Sequence, residues 1–576
     1  MVDSNARFAG IVLPAFSPRR KGDLGIGDTL ALLEWIDWAA DHSLGMIQLL
    51  PIHENGRDES PYSAISSAAI DPIYLAFDPP HVPCLTAHDI AQAQLKLANL
   101  TDSNKVNYPA VRKVKRDLLE LAWSSWQLVK QPFEAEFAAF CQKQADWLGD
   151  YTLFRYLMEL HGEDLRWDQW PANCQTPEHA RATIAAIRLR DPAGIDYRLQ
   201  FFAFVQWICH RQWNEVKNHA RLRGVRLMGD LPIGISWHSC DVFFHQQEFY
   251  LEWFGGSPAE GSHGANSFLE QWGQNWGIPL YRWDAMQAND YQWWRQRIGK
   301  LTEIFDIFRL DHILGFYRIY AFPWHPSRND EVLGKCHDEV ASLCGGHLPR
   351  WFLRPDDTDE NKAANRADGD ERLKAVRDAA NGAIMIAEDL GWVPDYVRPH
   401  LTELGIAGFR IPHWDCNDHG DPLPGAEFPF ESFASYSTHD HDPVHAIWRS
   451  CVDVIRRKER DPDQVPDWWI DGAHRTLRIL ARFSNIPIPA HGAWHDFSET
   501  MHLRLLRALL DSNSRYVAFM VTEIFAIDGR INHPGTMGQE NWTYRVPWTM
   551  DEVRNRSHLA TLSRMLSNLI HLTGRA

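Results

Sequence analysis

Eight short apolar segments, most ending in a polar or Gly-containing turn and then a helical stretch, constrain this chain more than any other feature. They are Ala9–Pro14, Met46–Ile52, Arg226–Ile233, Ile304–Asp311, Ile384–Glu388, Gly408–Pro412, Phe433–Ser437 and Tyr516–Thr522. Between them lie amphipathic stretches such as Asp28–Ala40, with Asp28 as an N-cap, and Asn289–Phe305. Alternating strand and helix gives a parallel sheet, and eight such units close a (β/α)8 TIM barrel of the α/β class. Chemistry in such a barrel sits at the C-terminal strand edge. Three acidic residues belong to that edge: Asp311 and Glu388 end their runs, and Asp440 follows its run in Ser437-Thr438-His439-Asp440. Three carboxylates converging on one cleft suggest glycosidic-bond chemistry.

The chain has 576 residues, whereas a plain barrel needs about 250. The surplus predicts one catalytic barrel spanning 1–576 with large, mostly helical insertions. The largest, at 76–220, lies between strands two and three, where Val111–Gln131, Phe133–Tyr156, Ala180–Ile187 and Tyr197–Arg221 read as helices. Others are expected at 326–381, after strand four, and at 446–489, after strand seven. The charged stretch Pro355–Asp370 is expected to be a solvated loop.

A net charge of −17 argues against nucleic acid or an anionic membrane as partner. It suits a neutral substrate. No apolar run approaches the roughly 18 residues of a membrane span. Nine scattered cysteines without a CxxC pair fit a reduced cytoplasmic protein. The 26 tryptophans are expected mainly in the core. A remainder would suit sugar binding, because sugars present apolar C–H faces to aromatic rings.

Arg309 and Asp311 point to the same side of a strand. A guanidinium beside a carboxylate favours the ionised form, as a nucleophile requires; a structural Arg–Asp pair is the alternative. Glu388, at the exit of a buried strand near other carboxylates, is the candidate acid/base. Asp389 would face the other way, as a loop or N-cap residue. Asp440 would bond sugar hydroxyls. A metal site among His439, Asp440, His441 and Asp442, with His445 following, is the rival, but the spacing fits no zinc pattern, and no metal or cofactor is expected. Asp230, ending the third strand, fits a substrate- or structure-organising role. The glycine-rich Lys21–Asp28 lacks the Walker spacing and reads as a turn into a helix.

Taken in order, the motifs resemble the 4-α-glucanotransferases, or amylomaltases, of glycoside hydrolase family 77. They run from Leu24-Gly25-Ile26-Gly27-Asp28 through Ser60-Pro61-Tyr62-Ser63, Gly229-Asp230-Leu231-Pro232-Ile233, Gly273-Gln274-Asn275-Trp276-Gly277, Arg309-Leu310-Asp311-His312, Ala387-Glu388-Asp389-Leu390-Gly391, Thr438-His439-Asp440 and Asn532-His533-Pro534-Gly535-Thr536 to Asn541-Trp542-Thr543-Tyr544-Arg545. The resemblance implies Asp311 as nucleophile, Glu388 as acid/base and Asp440 as transition-state stabiliser. It implies Arg309, His312 and His439 at the reacting sugar, and Tyr62 and Trp276 lining a glucan cleft. It also implies no C-terminal β-sandwich, and malto-oligosaccharide or α-glucan as substrate. An α-glucan hydrolase and a non-catalytic glucan-binding relative are the competing expectations. The chain departs from the family pattern at Gly234–Ser239, at Ser257–Glu260 and at His441, places that shape the acceptor side. The segment Trp253–Trp276 is expected to be a loop occluding the cleft.

Overall fold

The computed structural model describes residues 6–576 except 57, 102, 130–132, 260–266, 418, 462, 464, 491–492, 537 and 539. Its strands in chain order are β1 (Phe8–Val12), β2 (Met46–Gln48), β3 (Arg226–Leu231), β4 (Phe249–Ser257), β5 (Gln274–Tyr281), β6 (Ile307–Leu310), β7 (Ile319–Phe322), β8 (Arg350–Phe352), β9 (Ile384–Ala387), β10 (Ala407–Arg410), β11 (Ser432–Ala434) and β12 (Tyr516–Met520). Eight of these close a parallel barrel in the order β1-β12-β11-β10-β9-β6-β3-β2. All eight predicted segments contribute a strand to it. The strands are buried almost throughout, which explains their continuous rather than alternating apolar character. Asp28 caps the helix Thr29–Asp41, accepting from the Ala31 N–H. After β12 the described helices are Val521–Phe525, Met550–Asn555 and Ser557–Leu572.

The interval between β2 and β3 carries the helices Ala87–Thr101, Tyr108–Val129, Glu134–Lys143, Leu148–Leu160, Pro177–Arg188 and Pro192–Leu222. Aromatic side chains hold them together: Trp126 lies 5.3 Å from both Phe204 and Trp207, ring centre to ring centre. Only five of the 26 tryptophans are exposed, so the core expectation for this residue holds.

Three expectations need correction. The segment Trp253–Trp276 is not simply a loop. β4 and β5 pair antiparallel there, and with β7 and β8 they form a second, four-stranded sheet in the order β5-β4-β7-β8. The part of the proposed occluding loop at 260–266 lies outside the described residues. The charged stretch within Pro355–Asp370 is not a solvated loop but enters the 21-residue helix Asp359–Ala379, capped by Thr358. That helix buries Asn365, Gly369, Leu373 and Val376 at helical spacing, a stripe too polar to stand out in the sequence. The helix expected over Asn289–Phe305 is shorter, Gln292–Thr302. It follows a break at Asp290 and Tyr291, both left-handed.

Candidate active site

β3, β6 and β9 are neighbours, and their ends bring together the groups that the sequence separates by up to 158 positions. Asp230 sits in β3, Arg309 in β6, and Asp311 and Glu388 directly follow β6 and β9. Arg309 is nearly buried and central. Its Nη1 lies 2.8 Å from both Asp230 oxygens and 2.8 Å from Asp311 Oδ1, and its Nη2 lies 3.9 Å from Glu388 Oε2. Burial disfavours the charge on this guanidinium, but Asp230 and Asp311 outweigh that and hold it firmly protonated.

Breaking a buried pair leaves its partners uncompensated. Arg309→Met is therefore expected to cost about 3–5 kcal/mol, read as a lower urea midpoint. A midpoint equal to that of the parent protein would mean that Asp230 and Asp311 do not depend on this charge.

Glu388 is held by backbone rather than by side chains. Its Oε2 accepts the His312 N–H at 2.8 Å and its Oε1 the Leu390 N–H at 3.1 Å. His312 makes the first bond from a left-handed backbone, φ 42°, a conformation that costs a non-glycine residue about 1–3 kcal/mol. Burial pushes the Glu388 carboxyl up to about 8; Arg309 opposes the rise and Asp311 adds to it. The group therefore carries a proton at neutral pH while Asp311 sits against a guanidinium. His312 itself is lowered to about 4 by burial, so its ring is neutral. Trp276, 36% exposed, meets that ring edge-on at 4.9 Å.

Asp440 lies on the loop beyond β11. Its Oδ1 accepts from the Asn532 amide at 2.6 Å, and its Oδ2 is 3.3 Å from His439 Nε2. Burial alone would raise its pKa; His439 and the Asn532 bond outweigh burial and hold it below the usual carboxylate range. The Tyr62 hydroxyl joins the two halves of the site. It donates to Asp230 Oδ2 at 2.8 Å and lies 3.0 Å from His439 Nε2, with its ring stacked on that imidazole at 5.4 Å.

Side chains of the His/Asp run are engaged by neighbours within the protein. Asp440 is bonded to Asn532, His441 Nδ1 faces the Thr438 hydroxyl at 2.8 Å, and Asp442 pairs with Arg530. Among the described residues, no group of three or more His, Cys, Asp or Glu is arranged to hold a metal ion.

All nine candidate residues thus fall into one constellation, most joined by the bonds above and Trp276 through the His312 ring. Asp389 faces away and lies in the loop after β9, one of the two alternatives expected; it caps no helix. Its buried carboxylate accepts the Phe409 N–H and pairs with Arg398 at 2.9 Å. Gly408 makes this possible, because a Cβ there would fall 2.9 Å from that carboxylate.

Reasoning from sequence missed several partners. Asn532 and Trp542 stand in motifs quoted above, and that ordered recurrence was the available signal. Trp542 packs against both Tyr62 and His439, at 5.7 Å from each. Arg530 donates to the Asp440 carbonyl at 2.7 Å. Glu523, fully buried after β12, accepts from the Ser437 hydroxyl at 2.6 Å and from the Val444 N–H at 3.2 Å. It therefore ties down both ends of the loop that carries His439 and Asp440. Trp414, half exposed, lies edge-on to His441 at 4.7 Å.

Comparison with known proteins places the chain in a family. The model of glycoside hydrolase family 77, described as 4-alpha-glucanotransferase, matches residues 13–551. A 4-alpha-glucanotransferase of Chlamydia caviae is 30% identical over 552 residues, covering 94% of this chain and 91% of its own. One of Synechocystis sp. is 26% identical over 575 residues, covering 98% and 99%. The amylomaltase from Streptococcus agalactiae shares the fold, with a TM-score of 0.72 at 19% identity over 99% of this chain and 100% of that one. The chain belongs to glycoside hydrolase family 77, the 4-alpha-glucanotransferases.

Proposed function

We propose that the chain transfers α-1,4-glucan segments or glucose units between malto-oligosaccharides or glucans by a retaining double displacement. Asp311 attacks the anomeric carbon. The glycosidic C–O bond breaks, and the leaving oxygen takes the proton of Glu388. The covalent glucosyl ester on Asp311 is then attacked by a hydroxyl of a second glucan. Glu388 removes that hydroxyl's proton, and the Asp311 carboxylate is released. Asp440 and His439 bond sugar hydroxyls as positive charge develops at the anomeric carbon. Arg309, His312 and Asp230 hold the reacting groups, and Tyr62 and Trp276 contribute aromatic walls.

The observation that carries this reading is the contrast between two carboxyls. Glu388 is raised to about 8 by burial, while Asp440 is held low by His439 and Asn532. Carboxyls with separated proton affinities mark acid/base assignments. The segments 76–220, 326–381 and 446–489 are read as insertions on one catalytic barrel. The nine cysteines are free, which supports a reducing, cytoplasmic setting. No described helix is long and apolar enough to cross a membrane.

The test is incubation with pure maltotriose, with products resolved by length. Transfer gives a ladder of longer and shorter chains. Glucose and maltose alone would replace the transferase reading with a hydrolase, and no reaction with maltotriose or with maltose plus glycogen would leave only glucan binding.

A further inference from the structure

The helices Val444–Arg460 and Asp467–Phe483 pack together beyond β11. The second begins with two of the five exposed tryptophans, Trp468 at 64% and Trp469 at 48%, their rings edge to face at 5.6 Å. The helix does not need Trp468 for packing: its buried positions are Ala473, Leu477, Ile479, Leu480 and Ala481. Beside Trp469 is a depression of about 370 Å³, lined also by Val454, Arg457, Arg460, Asp461 and Val465. Its volume lies within the range of small-ligand sites. The first helix starts four residues after Asp440 and runs 17 residues, or about 25 Å at 1.5 Å per residue. The depression is therefore remote from the cleft.

We propose that Trp468 and Trp469, with the depression between the two helices, form a second binding site for α-1,4-glucan chains. A glucose unit offers an apolar face and a rim of hydroxyls. Here a flat apolar ring borders guanidinium and carboxylate groups that can donate to and accept from such a rim. A second copy of the chain is the poorer occupant. Charged residues are depleted from interface cores, and here Arg457, Arg460 and Asp461 line the depression with Trp469, while Lys458 pairs with Asp467, the residue before Trp468, at 2.8 Å. The site would retain long chains and leave reactions of short ones unaffected. The proposal rests on the glucan reading of the cleft.

The test compares Asp311→Asn protein, so that no turnover occurs, with the same protein carrying Trp468→Ala and Trp469→Ala, in native gels containing glycogen. Trp468→Ala alone, the more exposed position, serves as a second variant. The apparent affinity for glycogen is expected to fall about ten-fold or more in the double variant, and less in the single one. With Asp311 intact, maltotriose transfer is expected to be unchanged. Equal retardation of parent and double variant would overturn the proposal, as would light scattering showing a dimer that the double variant dissolves. A protein that transfers between maltotrioses but is not retarded by glycogen would also overturn it while leaving the proposed function standing. Absence of both transfer and retardation would overturn the function itself.

Discussion

Asp311→Asn is expected to reduce maltotriose disproportionation by a factor on the order of 10⁴ to 10⁶, the scale on which losing a central catalytic group acts in other enzymes. An amide oxygen lacks the charge needed to form the glucosyl ester. The loss should fall on kcat, because Asp230 still pairs with Arg309 and the aromatic walls are untouched. A sharper form of the experiment uses Asp311→Gly with azide. The small anion would enter the vacated space and attack from the side opposite the leaving group, giving a glucosyl azide of inverted configuration. Activity within ten-fold of the parent protein, or an azide product of retained configuration, would remove Asp311 from the role of nucleophile.

For Glu388→Gln the expected loss on maltotriose is about 10² to 10⁴, the usual worth of a positioned acid/base. The pH profile carries the more specific expectation. Burial raises the Glu388 pKa to about 8, so the proton is held below that pH and lost above it. The proton is needed by the leaving oxygen, so kcat/KM should decline as pH rises through about 8. In the Gln variant that limb should vanish. An α-maltosyl fluoride donor, whose leaving group needs no proton, should restore ester formation. An alkaline limb that survives the substitution would assign the titration to another group.

The barrel was legible because each of its strands is short, apolar and closed by a polar turn, a pattern that local residues carry on their own. Of the three candidate carboxylates, Asp311 and Glu388 were legible for the same reason, since they directly follow such strands. The second sheet was not. Its strands at 249–257, 274–281, 319–322 and 350–352 are scattered on both sides of β6. They contain Gly255, Gly256, Gly277 and Pro279, residues that normally argue against a strand. The pairing of β4 with β5 is also irregular, with register shifts after Tyr250 and Gly255. The helix Asp359–Ala379 was hidden by charge: ion pairs such as Arg372 with Asp368 and Lys374 with Asp370 supply what apolar periodicity would otherwise advertise. Asn532 and Trp542 stood in visible motifs, but their meeting with Asp440 and Tyr62 exists only once the ends of the barrel sheet, β1 and β12, have joined.

The single guanidinium at the centre of the site also acts as a filter on what can enter. Arg309 is shared between Asp230 and Asp311, so none of its charge is left over for an incoming anion, and Asp440 adds a further carboxylate across the cleft. A sugar phosphate would meet these carboxylates and an Arg309 already engaged by two of them. A neutral glucan meets no such barrier. It becomes strongly attractive to the same field only at the instant when its anomeric carbon turns positive. We infer that this arrangement of charges disfavours anionic donors and favours the reaction through the transition state rather than through the bound substrate.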